Sequence, residues 1–388
     1  MANVTTLEVE DEALEQDVDQ EFVSGEEEQI YVASQWQLMW WRFRKHKLAL
    51  ISAGAIILLY LIAAFCGFLS PYDPHARDVK YVFAPPQTLH FVSEDGFHLR
   101  PFVYGLNSTR DPETYRMIFE VDKTQRYPVY FFVQGPPYKF WGLFETNLHL
   151  FGTQNQEGPL FLLGTDRMGR DMLSRILYGA RISLSIGLIG VALSFTLGIL
   201  IGGASGYYGG AIDLVVQRVI EFIKSVPTIP LWMALGAALP EDWPPIRIYF
   251  GITIILSSIG WANLARVVRG KFISLREEDF VLAARLVGSS ELRIIAKHLV
   301  PSFLSYLIAR LTVSIPWMIM SETSLSFLGL GLRPPIISWG VLLQEAQNLR
   351  SVALAPWLLL PGAFVVVAVL SFNFVGDGMR DAADPYAR

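Results

Sequence analysis

The chain has 388 residues, of which 52% are hydrophobic and only 17% charged. That balance excludes a disordered chain and is too apolar for an ordinary soluble enzyme, so a membrane protein is expected. The formal charge of −5 originates in residues 1–30, which hold 11 acids and no base, and the remainder is net positive.

In chain order, the acidic segment 1–30 reads as a self-repelling, disordered cytosolic tail. Residues 31–70 follow, with Trp36, Trp40 and Trp41 ahead of Arg42, Arg44, Lys45 and Lys47. This pattern predicts an interfacial helix leading into a first transmembrane helix over 48–69. The apolar run starts too far into the chain for a signal peptide, so it reads as an uncleaved span. Cys66, the single cysteine, lies in that run and reads as a small buried hydrophobe; no internal disulfide is possible.

The region 71–163 is external in this scheme. Within it, about 91–160 is rich in aromatic residues and proline, and its short β-runs between turn signals predict a small β-rich subdomain. His75, His90, His98 and His149 fall here without a zinc spacing and read as packing or surface residues. Residues 164–388 supply five further spans, at about 182–203, 225–239, 248–264, 303–320 and 354–375. The span at 225–239 carries Pro227 and Pro230, and the span at 303–320 carries Arg310 and Pro316. The basic cluster before the first span places the N-terminus in the cytosol, and six spans return the C-terminus there. The basic loop 267–302 is then cytosolic as well. The expected fold is an all-α polytopic membrane protein with six transmembrane helices and a small β-rich external insertion.

The chain has no phosphate-binding loop: its one Gly-Lys pair, Gly270-Lys271, is followed by Phe272. No nucleophile elbow or zinc-protease helix is present either, so no catalytic residue and no metal site is assigned. Few charges fall within or beside the spans. Arg218, Glu221, Arg310 and Glu322 are the candidates for a pathway or gate, with Glu322 too far along the helix from Arg310 for a direct pair. Asp166, Arg170 and Asp171 precede the second span and read as structural caps and ion pairs. Uphill transport by such a chain requires energy from another subunit.

The loop after the fourth span contains Asp279-Phe-Val-Leu-Ala283-Ala284-Arg285-Leu-Val-Gly288, then His298-Leu-Val-Pro301. Two small alanines allow a helix to seat closely in a partner's groove, and Gly288 permits a sharp reversal. This stretch resembles the EAA coupling helix of the permease subunits of bacterial ABC importers, with Leu282 where that family has Glu. Further stretches are similar to dipeptide and oligopeptide permeases of the C type. These are Pro71-Tyr-Asp-Pro74, Gly164-Thr-Asp166-Arg-Met-Gly169-Arg170-Asp171, Gly206-Tyr-Tyr-Gly-Gly210, Glu322-Thr-Ser-Leu-Ser-Phe-Leu-Gly329 and Gly376-Asp-Gly-Met-Arg380-Asp381 with Asp384-Pro385.

The resemblance implies a type I ABC importer permease in the bacterial inner membrane, dependent on a binding protein. Its partners would be a second homologous permease, two ATPase subunits that hold ATP and Mg, an external solute-binding protein and membrane lipid, with no nucleic acid. The chain itself would bind no cofactor. Asp279, Phe280, Ala283, Ala284, Arg285, Gly288 and His298 would form the ATPase-coupling interface. The expected solute is a short peptide; an oligosaccharide carried by the same machine and a stand-alone secondary transporter are the competing readings. Residues 91–160 intervene where family members pass directly to the Gly-Thr-Asp stretch, so they read as an insertion. It either grips the binding protein and shapes the path or stabilises the fold.

Overall fold

The computed structural model describes residues 35–94, 96–113, 116–154, 158–240 and 242–383. The acidic tail and Asp384-Pro385 lie outside the described residues. The chain opens with α1 (Gln35–Lys45), which exposes Trp40 and ends in a basic turn, and α2 (Lys47–Ala64), whose start is capped by His46. After the external region come α3 (Met172–Tyr208), α4 (Gly210–Ser225), α5 (Thr228–Ala237) and α6 (Pro245–Leu275). The remaining principal helices are α7 (Asp279–Leu286), α8 (Leu304–Phe327), α9 (Trp339–Gln344) and α10 (Leu360–Ala383).

Among the described residues, five helical segments are long and apolar enough to cross a membrane: α2, α3, α6, α8 and the stretch Pro356–Ala382 that includes α10. α3 has 37 residues, about 55 Å, and so extends well beyond the hydrocarbon layer. The expected span at 225–239 is not one continuous helix. α5 has 10 residues, about 15 Å, and is bent by 87° from the amphipathic α4. The pair makes a sixth crossing only if counted as one broken span. The reason is Pro227, which has no N–H to donate and holds Val226 in an extended conformation.

α3 and α6 form the centre of the bundle. Gly198, Gly202 and Gly206 recur every fourth residue along α3, facing Leu264, Ala265 and Arg269 of α6. A Cβ at Gly202 would lie 2.4 Å from the Ala265 carbonyl oxygen, so the two backbones meet directly there. α8 packs on α10, and α10 on α2. At one end Met39, Phe43, Ala49 and Ala382 form a small core joining α1, α2 and α10. The start of α8 is at the same end, with Ser305 Oγ 3.6 Å from Met39 Sδ.

The opposite end of α2 carries the sheet. Its strands, β1 (His90–Ser93), β2 (Gly96–Arg110), β3 (Met117–Phe140) and β4 (Phe144–Thr153), form an antiparallel meander. The strands are longer than the short β-runs expected. β3 is shared between two ladders: residues up to Pro128 pair with β2, and those from Val129 pair with β4. Bulges at Tyr104/Gly105 and Gln134/Tyr138 absorb the twist that so long a strand accumulates. His149 is buried between the Ser70 carbonyl, at 2.5 Å, and the Pro136 carbonyl, at 2.9 Å. It is a packing residue that ties the sheet to the segment after α2.

Candidate functional site

Asp279 opens α7, where a carboxylate favours the helix N-terminus. The helix ends in a Schellman turn: Ser289 N–H donates to the Ala284 carbonyl at 3.0 Å and Gly288 N–H to the Arg285 carbonyl at 2.9 Å. Gly288 sits at φ +78°, which only glycine adopts readily, and the chain reverses there. Val281 is fully buried and anchors α7 to the bundle. The Arg285 guanidinium lies 5.3 Å from the centre of the Tyr207 ring, and the neighbouring Tyr208 hydroxyl donates to Glu291 at 3.0 Å. Two tyrosines at the end of α3 therefore hold the loop from both sides of its turn.

The other side of the loop is apolar and open. Phe280 and Leu282 are each about two-fifths exposed, while Leu286 is 89% and Val287 85% exposed. Ala283 and Asp279 are exposed with them. Ala284 is half-buried and packs on the core, and His298 is half-buried in a π-helical turn, Ile295–Leu299. So Asp279, Phe280 and Ala283 share an open surface with Leu286 and Val287, which sequence reasoning did not select. Their apolar character at a helix C-terminus was the available signal. Arg285 and Gly288 shape the loop, and Ala284 faces inward.

Beneath the loop, the Asp213 carboxylate takes two parallel bonds from Arg269, at 2.5 and 2.6 Å, and one from Ser205 Oγ at 2.6 Å. This fork joins α3, α4 and α6. Arg218 and Glu221 form a 2.7 Å ion pair on an exposed face of α4, away from any buried partner.

Arg310 and Glu322 lie on different sides of α8. Arg310 points into a cavity of about 330 Å³ between α3, α6, α8 and α10, lined also by Ser194, Asn263, Ser314, Trp317 and Asn373. Glu322 is fully buried and accepts hydrogen bonds from Ser326 and Ser338, both at 2.8 Å, and from Ser183 at 3.2 Å. The Ser183 hydroxyl in turn accepts from Trp339 N–H at 3.1 Å. Glu322 thus cross-links α3, α8 and α9 and does not enter the cavity.

At the end of the bundle near the sheet, Asp166 accepts from Arg170 Nε at 2.6 Å, and Arg170 reaches Glu345 at 2.9 Å. Asp171 caps α3 by accepting from Ser174 N–H at 2.7 Å and Ser174 Oγ at 2.6 Å. Burial pushes the Asp171 carboxyl up to about 6, and burial raises Glu345 in the same direction. The folded chain therefore holds the Asp171 proton more tightly than the unfolded one. That contribution to stability is full below the ordinary aspartate value near 3.8 and is lost as the pH rises through about 6. The melting temperature in detergent is expected to fall between about pH 4 and about pH 6.5, and Asp171→Asn to flatten that slope. An unchanged slope in the variant would show that Asp171 does not titrate there.

Two family models match the chain. Residues 194–388 match the binding-protein-dependent transport system inner membrane component, and residues 34–86 match the N-terminal transmembrane domain of oligopeptide transport permease C. The chain belongs to the binding-protein-dependent transport inner membrane component family. The oligopeptide transport system permease protein OppC of Bacillus subtilis is 36% identical over 58% of this chain and 72% of its own. OppC of Haemophilus influenzae is 39% identical over 58% of this chain and 70% of its own. The dipeptide permease DppC of Lactococcus lactis is 32% identical over 90% of both chains. That match takes in most of the region between the two family models. An inward-facing MetNI methionine ABC transporter structure aligns with 55% of this chain and 98% of its own, at 18% identity and a TM-score of 0.41. The chain is a permease component of an ABC importer, and ATP is hydrolysed by partner subunits.

Proposed function

We propose that this chain forms half of the translocation pathway of an importer for short peptides, beside a second permease subunit. One of two ATPases docks on its 279–288 loop, and an external binding protein delivers the peptide. Both termini lie in the cytosol, with α4 and α5 together making one crossing and the fold being of the type I importer class. The observation that carries this reading is the pairing of two features on one bundle. An open apolar knob sits on the loop that α3 and α6 support, and a cavity that holds Arg310, Asn263 and Asn373 among apolar side chains lies between those same helices and α8 and α10.

When the ATPases close, they would carry α7 with them. The loop is held to α3 through Tyr207 and Tyr208 and to α6 through continuous chain, so the displacement reaches the helices that wall the cavity. Arg310 forms no ion pair among the described residues. A cation left alone at membrane depth is costly, which favours a wet pathway that an anionic group of the solute can enter. Arg310→Gln is expected to lower peptide uptake by about tenfold, the equivalent of one charge-assisted contact of ~1.4 kcal/mol. The assembled complex should keep its basal ATPase rate. Uptake of labelled di- and tripeptides by the reconstituted complex tests the assignment, and retention of a glycan in place of a peptide would overturn it.

A further inference from the structure

We propose that the β3–β4 hairpin is a membrane anchor whose tip inserts into the headgroup–acyl boundary of the leaflet on the sheet's side. The partner of this surface is lipid.

The tip is placed at membrane depth by direct contacts. Trp141 Nε1 donates to the carbonyl of Ala64 at 2.8 Å. Ala64 is the last residue of the span Lys47–Ala64, where helix carbonyls lack an intrahelical partner. The Phe140 ring lies 5.7 Å from Phe65 and the Phe132 ring 6.2 Å from Phe68, so the hairpin lies along the segment that follows the span. Trp141, at φ +50°, and Gly142, at φ +76°, form the reversal, and a tryptophan is held in a conformation that side chains rarely adopt.

The tip is also open. Leu143 is 78% exposed, and Trp141 and Phe144 are both more than half exposed. Exposed aromatic and aliphatic side chains so concentrated are unfavourable in water. Their surface continues that of α2, where Ile57, Leu58 and Leu61 are exposed on a helix that crosses the bilayer. A lipid layer that covers α2 up to Ala64 therefore reaches Trp141 and its neighbours. Charge sets the depth. Lys139 and Glu145 pair across the rung immediately behind Phe140 and Phe144, with a 3.7 Å ion pair open to solvent. That pair belongs among headgroups, which leaves only the tip to enter the apolar layer. An indole whose N–H is satisfied by protein while its ring is open suits this interface.

The test uses the full chain in phosphatidylcholine–phosphatidylglycerol liposomes, with a nitroxide placed at Leu143→Cys. Thr109→Cys, at the far end of β2, is the control, and unsubstituted protein reports any labelling of the buried Cys66. The ratio of accessibility to oxygen over accessibility to a soluble nickel chelate is expected to be several-fold higher at Leu143 than at Thr109. Equal ratios would overturn the proposal, and so would low accessibility to both reagents at Leu143, which indicates a protein partner. If the labelled chain fails to insert, benzoylphenylalanine at Leu143 in cells makes the same decision. Phospholipid adducts support the anchor, and adducts to polypeptide alone overturn it.

Discussion

Leu286→Glu is expected to abolish ATP-driven uptake while the chain still inserts and folds. Leu286 is 89% exposed, so the substitution removes almost no contact within the chain. In a docked complex the same carboxylate would be buried without a partner, which costs about 3–5 kcal/mol. That is a loss of at least about a hundredfold in affinity for the ATPase. Co-purification of the ATPases should therefore fall together with transport. Ala283→Glu tests the same face one turn back, whereas Ala284→Glu mixes loss of docking with damage to the core on which Ala284 packs. Val281→Glu serves as the contrast, since Val281 is fully buried and its loss releases the loop itself. Normal ATPase capture by the Leu286 variant would remove this face from the coupling interface.

Gly202→Leu should abolish production of folded protein. A Cβ at this position meets the carbonyl oxygen of Ala265 at 2.4 Å and its Cα at 2.7 Å. Those are backbone atoms of α6, so no rotamer change relieves the clash, and the helices must separate. Overpacking of an ordinary core costs about 1–3 kcal/mol, and a backbone clash at the central contact of the bundle exceeds that range. A monodisperse peak in size-exclusion chromatography should be lost. Gly270→Ala should leave the peak intact, because nothing lies within 4 Å of a Cβ there. A well-folded Gly202→Leu variant would contradict the close crossing of α3 and α6.

What could be read from the residues was local. The helix and reversal of the 279–288 loop were legible because their signal lies within ten residues: two alanines, then a glycine whose positive φ ends the helix. The spans α2, α3, α6, α8 and α10 were legible from apolar length alone. The bend within the span at 225–239 was not legible because hydropathy averages over Pro227, while the backbone does not. The remaining misses are pairings across long sequence separations. Ser183 and Ser338 around Glu322, Arg269 on Asp213 and Glu345 on Arg170 are individually unremarkable polar residues, and only the fold brings them together. The sheet was foreseeable as β-structure, but the sharing of β3 between two ladders depends on bulges that leave no strong local signal. Arg310 was identifiable as a lone membrane cation, whereas Asn263 and Asn373 joined it only through helix packing.

The most direct test of the central claim is uptake of a labelled tripeptide by proteoliposomes containing this chain with its partner permease, ATPases and binding protein. Uptake is expected to require ATP, to stop when the ATPases are omitted and to be lost in the Leu286→Glu complex. Uptake that persists without ATPase subunits, driven by an ion or proton gradient, would contradict the account.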